Sequence, residues 1–538
     1  MKSISVTLLK SWLDDDAELA LLDVREHGQY GEEHLFFAVS LPYSTLEIDA
    51  PRLLPRKSVR IVVYGNASSG HVIDAYAARL QELGYTDISV LDGGIEAWRQ
   101  AGAAVFSGVN LPGKTFGELV EHICETPRLT AVELRDKLRG QAEKIVVLDG
   151  RPVAEYRKMN IPGSICCPNA ELPLRVGALV PDPQATIVVS CAGRTRGIIG
   201  AQTLINVGVP NKVYALENGT QGWFLSGFEL EHGSTRTYDQ VAPDIPRETL
   251  AQSKKRAIAL AREFAIPTVT CEEVLGWLQK TEASVFVCDV RTPEEHERDH
   301  LPGVVQHTPG GQLIQAVDQY VGVQKSKIVL FNPDGIRATV VATWLKQMGR
   351  DVALLADVEG LRGCSPQTPA IASLPNVTWL EQQRLADFLQ TGERETVWDA
   401  RPSQAFRRAH VKGARWLIRS MLPGNTLMRP HDPALLIGDS RAKIELLARD
   451  LRKQGAAARI HGCVVDAAFP DDSGLEIVRD SHEPPDAECV DYLFFVHDRH
   501  DGNKEAARRY LQWETNLVSQ LGDSELKRFS VKRRPQAT

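Results

Sequence analysis

The chain has 538 residues, 43% of them hydrophobic and 24% charged, with a formal net charge of −7. That length suits about three to five domains. The acidic balance argues against a general nucleic-acid binder. No apolar run reaches the roughly 18–20 residues that a membrane-spanning helix needs. The N-terminal stretch turns acidic at Asp14-Asp15-Asp16 and lacks the apolar core of a secretion signal.

Nine scattered cysteines include no CxxC pair, which excludes a zinc ribbon or a thioredoxin-like motif. A reduced, cytoplasmic setting is the expectation, and no pattern asks for a metal or a cofactor.

Read in chain order, one unit recurs four times. Each copy opens with an apolar strand ending in Asp-x-Arg: Asp23-Val24-Arg25, Asp149-Gly150-Arg151, Asp289-Val290-Arg291 and Asp399-Ala400-Arg401. A turn follows, at His34-Leu35-Phe36, Ile161-Pro162-Gly163, Leu301-Pro302-Gly303 and His410-Val411-Lys412-Gly413. A second apolar strand comes next, as in Ile61–Tyr64, Ile187–Ser190, Ile328–Phe331 and Leu435–Ile437. Each leads into a loop and an amphipathic helix that stops at a glycine: Gly84, Gly208, Gly349 or Gly455. A third strand closes the copy. The first two copies then read Gly93-Gly94-Ile95-Glu96-Ala97-Trp98 and Asn218-Gly219-Thr220-Gln221-Gly222-Trp223.

Strands alternating with helices predict an α/β fold with mainly parallel sheets flanked by helices. The copies place domains at 1–106, 127–232, 267–364 and 377–475. Residues 107–127, 233–266 and 365–376 read as connectors, the second with a helix over Leu250–Phe264. A C-terminal extension, 490–538, carries a helix from Lys504 to Leu521 that is expected to pack on the array.

Cys191 is the chemically informative residue. It follows the strand Ile187–Ser190 and precedes Ala192-Gly193-Arg194-Thr195-Arg196-Gly197, after which a helical pattern starts. A helix N-terminus offers unpaired N–H groups and partial positive charge. With Arg194 and Arg196 beside it, the thiol is expected to have a lowered pKa and to act as a nucleophile. Gly193 is expected to let the backbone turn inward. Strand-end alignment puts Gly65, Asn332 and either Gly438 or Asp439 at the cysteine's place in the other copies. None of these can carry a sulfur adduct.

On these residues the chain resembles the rhodanese family, the thiosulfate sulfurtransferases, as four tandem rhodanese-like modules of which only the second is catalytic. The resemblance implies that Cys191 takes up a sulfane sulfur as a persulfide. The donor is thiosulfate or another persulfide, and the acceptor is cyanide, a small thiol or a protein thiol. Ala192, Gly193, Arg194, Thr195, Arg196 and Gly197 would bind the substrate, with Arg194 and Arg196 clamping the anion. Asp149 and Arg151 read as a structural ion pair, because the pair recurs in the silent copies. Cys166 and Cys167 are packed thiols or, alternatively, include a resolving cysteine. His34 and His410 read as turn histidines.

Two rivals stay open. A cysteine phosphatase needs Cys-x5-Arg, and here Arg196 comes one residue early. A sulfur-relay or scaffold protein with little thiosulfate turnover would use the same thiol.

Overall fold

The computed structural model describes residues 2–141, 143–299, 304–362, 364, 377–391, 396–422, 433–455, 459–465, 469, 474–497, 499 and 503–534. The Leu301-Pro302-Gly303 turn and the 365–376 connector lie outside the described residues. No helix among those described is long and apolar enough to cross a membrane.

Four five-stranded sheets share one topology. In the numbering of each unit their spatial order is 1-5-4-2-3, and every neighbouring pair is parallel. In the second unit the strands are β1 (Arg128–Leu129), β2 (Ile145–Asp149), β3 (Ile165–Cys166), β4 (Thr186–Ser190) and β5 (Val213–Leu216). Ile187 and Val189 enter one apolar cluster and Val188 another, on opposite faces. Period-two side-chain alternation therefore buries β4 twice over, which accounts for its unbroken apolar run.

The chain leaves β2 towards one edge of the sheet and β4 towards the other. Their carboxyl ends flank the point where the winding reverses, the place where open α/β sheets form a crevice. Asp149 of β2 is in register with Ser190 of β4, so Cys191 is the first residue past the strand at that crevice. The same register pairs Asp23 with Tyr64, Asp289 with Phe331 and Asp399 with Ile437. It makes Gly65, Asn332 and Gly438 the counterparts of Cys191, which settles the choice against Asp439.

Each Asp-x-Arg pair is the same buried brace. Arg151 Nε donates to Asp149 at 2.9 Å, and its Nη2 donates to the Met159 carbonyl at 2.6 Å. Arg25, Arg291 and Arg401 repeat both contacts. The repeated turn position is equally structural. His34 and His410 share a hydrogen bond through Nδ1 with the carbonyl four residues earlier, at 2.9 Å each. Asn160 holds the same place in the second unit and is fully buried.

Two sequence expectations change. Residues 107–127 are not a plain connector. Their helix α1 (Leu111–Cys124) is buried along most of its length and packs among the units. The C-terminal helix ends at Thr515, and a single tight turn over Val518–Gln520 replaces its last stretch. Leu517 drops into a cluster with Phe36, Phe106 and Leu111, and the chain bends to put it there.

Buried ion pairs join the units. Arg337 of the third meets Glu171 of the second at 2.8 Å, and Arg419 of the fourth meets Glu47 of the first at 2.8 Å.

Candidate active site

Three helices of the second unit complete the crevice: α2 (Val153–Lys158), α3 (Thr195–Asn206) and α4 (Gly219–Leu225). The loop from Cys191 is held by α4. Thr220 N–H donates to the Cys191 carbonyl at 2.8 Å, and Gln221 N–H to that of Ala192 at 3.1 Å. Gly219 makes this approach possible. Its φ is +52°, and a Cβ there would stand 2.2 Å from the Cys191 carbonyl oxygen. Gly94 does the same against Gly65 in the first unit, where glycine replaces the cysteine. The carbonyls are thus drawn to one side of the loop. No N–H of residues 192–197 reaches a carbonyl acceptor among the described residues, and that of Gly197 is directed at the Cys191 sulfur.

Cys191 is only 2% exposed, yet it lines a cavity of about 740 Å³ together with Ala192, Gly193, Arg194, Thr195 and Arg196. Gly197 acts from behind the thiol. The cavity is composite. His27 of the first unit, Lys114 of α1, Gln315 of the third unit, and Arg499, Tyr510 and Glu514 of the C-terminal extension share its wall.

The electrostatics differ from the expectation. Burial pushes the Cys191 thiol up, against the lowering pull of Arg196 and the Gly197 N–H; Glu514 adds to the rise. Desolvation of a thiolate outweighs the helix terminus here. Nor do the two arginines point unpaired at a ligand. Arg194 forks onto Glu118 of α1 at 2.7 and 2.8 Å, and it also meets Glu121 and Asn218. Arg196 forks onto Glu155 of α2 at 2.8 and 2.7 Å. The latter pair belongs to the repeat, because Arg337 and Glu295 hold the same places in the third unit and also pair. Arg196 still acts on the thiol, whereas Arg194 is turned towards α1.

Gly193 is needed for a reason the sequence did not suggest. Its φ is not positive. Instead, a Cβ there would stand 2.9 Å from Glu514 Oε2 and 3.4 Å from Tyr510. The helix α5 (Lys504–Thr515) lies over the loop. Thr195 Oγ1 donates to Glu514 Oε1 at 2.9 Å, and Lys114 Nζ stands 3.5 Å from the same carboxylate and hydrogen-bonds Tyr510. Glu118, Glu121, Tyr510 and Glu514 were missed by sequence reading. The apolar spacing of Leu111, Phe116 and Val120 could have revealed a buried α1; nothing local links residue 514 to residue 193.

Cys166 and Cys167 are both fully buried, and burial pushes both thiols up. The Cys166 sulfur faces the Arg151 carbonyl at 3.4 Å.

Comparison with known proteins places this architecture. The family model described as "Rhodanese-like domain" matches residues 5–101, 130–226 and 270–357. These segments make up more than half of the chain, and the chain belongs to the rhodanese family. The fourth unit lies outside the matched segments and joins the others through its strand order. A crystal structure of a thiosulfate sulfurtransferase from Pseudomonas aeruginosa is 35% identical, with a TM-score of 0.85. The alignment covers 98% of this chain and 99% of that one. The thiosulfate sulfurtransferase GlpE of Coxiella burnetii (strain RSA 331 / Henzerling II) is 30% identical over 95 residues, 18% of this chain and 85% of its own.

Proposed function

We propose that the protein is a sulfurtransferase that carries one sulfane sulfur on Cys191 of its 127–232 module. One observation carries the reading. Of four equivalent positions at the sheet crevices, Cys191 alone is a thiol, and it faces a cavity large enough for a donor. The names of the similar proteins from Pseudomonas aeruginosa and Coxiella burnetii point the same way.

The chemistry has two displacements. The resting thiol is neutral, so its proton passes to the departing sulfite or thiolate as the donor reacts. Sγ attacks the outer sulfur of thiosulfate or of a persulfide. The donor's S–S bond breaks, and sulfite or a thiolate departs with the electron pair. The N–H groups of 192–197, which no carbonyl engages among the described residues, receive the charge that develops on the transferred sulfur. An acceptor thiolate or cyanide next attacks that sulfur, and the Cys191 thiolate leaves. Ping-pong kinetics follow.

A second reading, a sulfur relay fed by a partner's persulfide, is favoured by one feature: Arg194 and Arg196 are both engaged by carboxylates, so neither is an unpaired clamp for a small dianion. One experiment serves both readings. The tryptic peptide 176–194 contains Cys191 as its sole cysteine. Treatment with thiosulfate or a persulfide donor should add the mass of one sulfur to that peptide, and cyanide should remove it. A peptide that stays unmodified with both donors rejects the reading. Loading by the persulfide alone selects the relay.

A further inference from the structure

We infer that Glu514, brought in by the C-terminal extension, is a donor-specificity residue of the Cys191 site, set over the sulfur-binding loop to disfavour small dianions relative to donors of lower charge. The inference rests on the sulfurtransferase reading and extends it.

The geometry is direct. Glu514 is 2% exposed, lines the same cavity as Cys191 and lies against Gly193. One carboxylate oxygen accepts from Thr195, and the other has no hydrogen-bond partner among the described residues. Burial opposes its charge, but Lys114, Thr195 and the guanidinium groups of Arg499 and Arg194 prevail, so it stays ionised.

The charges around the loop come from five elements. On α1 stand Lys114, Glu118 and Glu121. The loop and the start of α3 carry Arg194 and Arg196, and α2 carries Glu155 and Lys158. The end of β2 holds the closed Asp149–Arg151 pair. The extension adds Glu514, Tyr510, Arg499 and His497, while His27 and His232 complete the wall. Arg194, Arg196 and Lys114 meet four carboxylates, Glu118, Glu121, Glu155 and Glu514. Glu118, Glu121 and Glu155 already pair the two arginines. Glu514 is the carboxylate set directly against Gly193 and acting on the Cys191 thiol, in a low-dielectric setting where charge acts over several ångströms.

Negative charge there does two things. It adds to the rise that burial imposes on the Cys191 thiol, and it repels the thiosulfate dianion more than a singly charged persulfide. Both effects read out in Glu514→Gln. The rate of iodoacetamide labelling of peptide 176–194, followed by mass spectrometry, should reach its midpoint about one pH unit lower than in the wild type. The kcat/KM for thiosulfate should rise about tenfold relative to that for a singly charged alkyl persulfide. Glu514→Asp keeps the charge and should stay near the wild type in both measurements.

Should the lone Gln variant strand Lys114 and fail to fold, Lys114→Met/Glu514→Gln is compared with Lys114→Met. Loss of the carboxylate should again lower the labelling midpoint. An unmoved midpoint, or equal changes with both donors, overturns the inference. If neither donor loads sulfur onto Cys191 in the wild type, the sulfurtransferase reading falls, and the labelling midpoint still decides whether Glu514 governs the thiol.

Discussion

Arg194 looked like a substrate clamp, but the structure makes it a tie between the Cys191 loop and α1. Replacing it with Met tests which it is. The pair with Glu118 is bidentate, with side chains 6% and 7% exposed. Removing one member of such a pair commonly costs 3–5 kcal/mol, roughly, because the other charge is left buried. Glu118 limits that loss. Burial, with Glu514 and Glu121 nearby, already pushes it up to about 7 in spite of Arg194. In the variant it takes up a proton instead of staying charged, so the loss should be about 3 kcal/mol near neutrality.

The sign with pH follows. A carboxyl raised on folding loses stability as pH climbs from its unfolded value to its folded one. In the wild type that loss ends near pH 7. In the variant it continues, so the gap should widen above pH 7 by up to about 1.4 kcal/mol per unit. The effect is local in a chain of four units, so amide hydrogen exchange of 111–124 and 191–197 is the assay. Exchange in Arg194→Met should be on the order of a hundredfold faster than in the wild type, and Arg194→Met/Glu118→Gln should recover most of that. A single variant that exchanges like the wild type, with thiosulfate use alone impaired, would restore the clamp and refute the tie.

Cys191→Ala should abolish sulfur loading and transfer at a cost of only about 1 kcal/mol from a small void, measured by steady-state assay and thermal melting. Gly219→Ala should cut kcat/KM by on the order of tenfold or more, because its Cβ would push the Cys191 carbonyl and the reacting loop out of place. Gly94→Ala meets the same clash in the first unit, which has no thiol at this place, and should lower the melting temperature while leaving transfer intact. Cys166→Ser should keep single-turnover transfer, and in the wild type no sulfur should be found on the peptide that carries Cys166 and Cys167; a mixed disulfide there would restore the resolving role. His34 is held down to about 3 by burial. The unfolded chain therefore binds more protons below pH 6.5, and the first unit should lose stability as pH falls from there towards 3. His34→Asn, which grafts the second unit's Asn160, should flatten that dependence in acid melts.

The fourfold repeat, the parallel sheets and the place of Cys191 were legible from the chain because they rest on short-range pattern. Val147, Val188 and their neighbours alternate between two cores over a few residues. Asp149 and Arg151 brace a turn from two positions apart. Thr220 and Gln221 catch the loop within the same unit. What the arginines do could not be read that way. Glu118 stands 76 residues from Arg194, and Glu514 stands 319 residues from Thr195. Their meeting depends on how α1 and α5 pack between and over the units.

The sequence by itself determined that one thiol would sit at one crevice with amides around it. Only the tertiary structure decided that this thiol would be buried and protonated at rest, and that its neighbouring guanidinium groups would be engaged by carboxylates. A pKa responds to every charge and every loss of solvent within several ångströms, regardless of sequence distance.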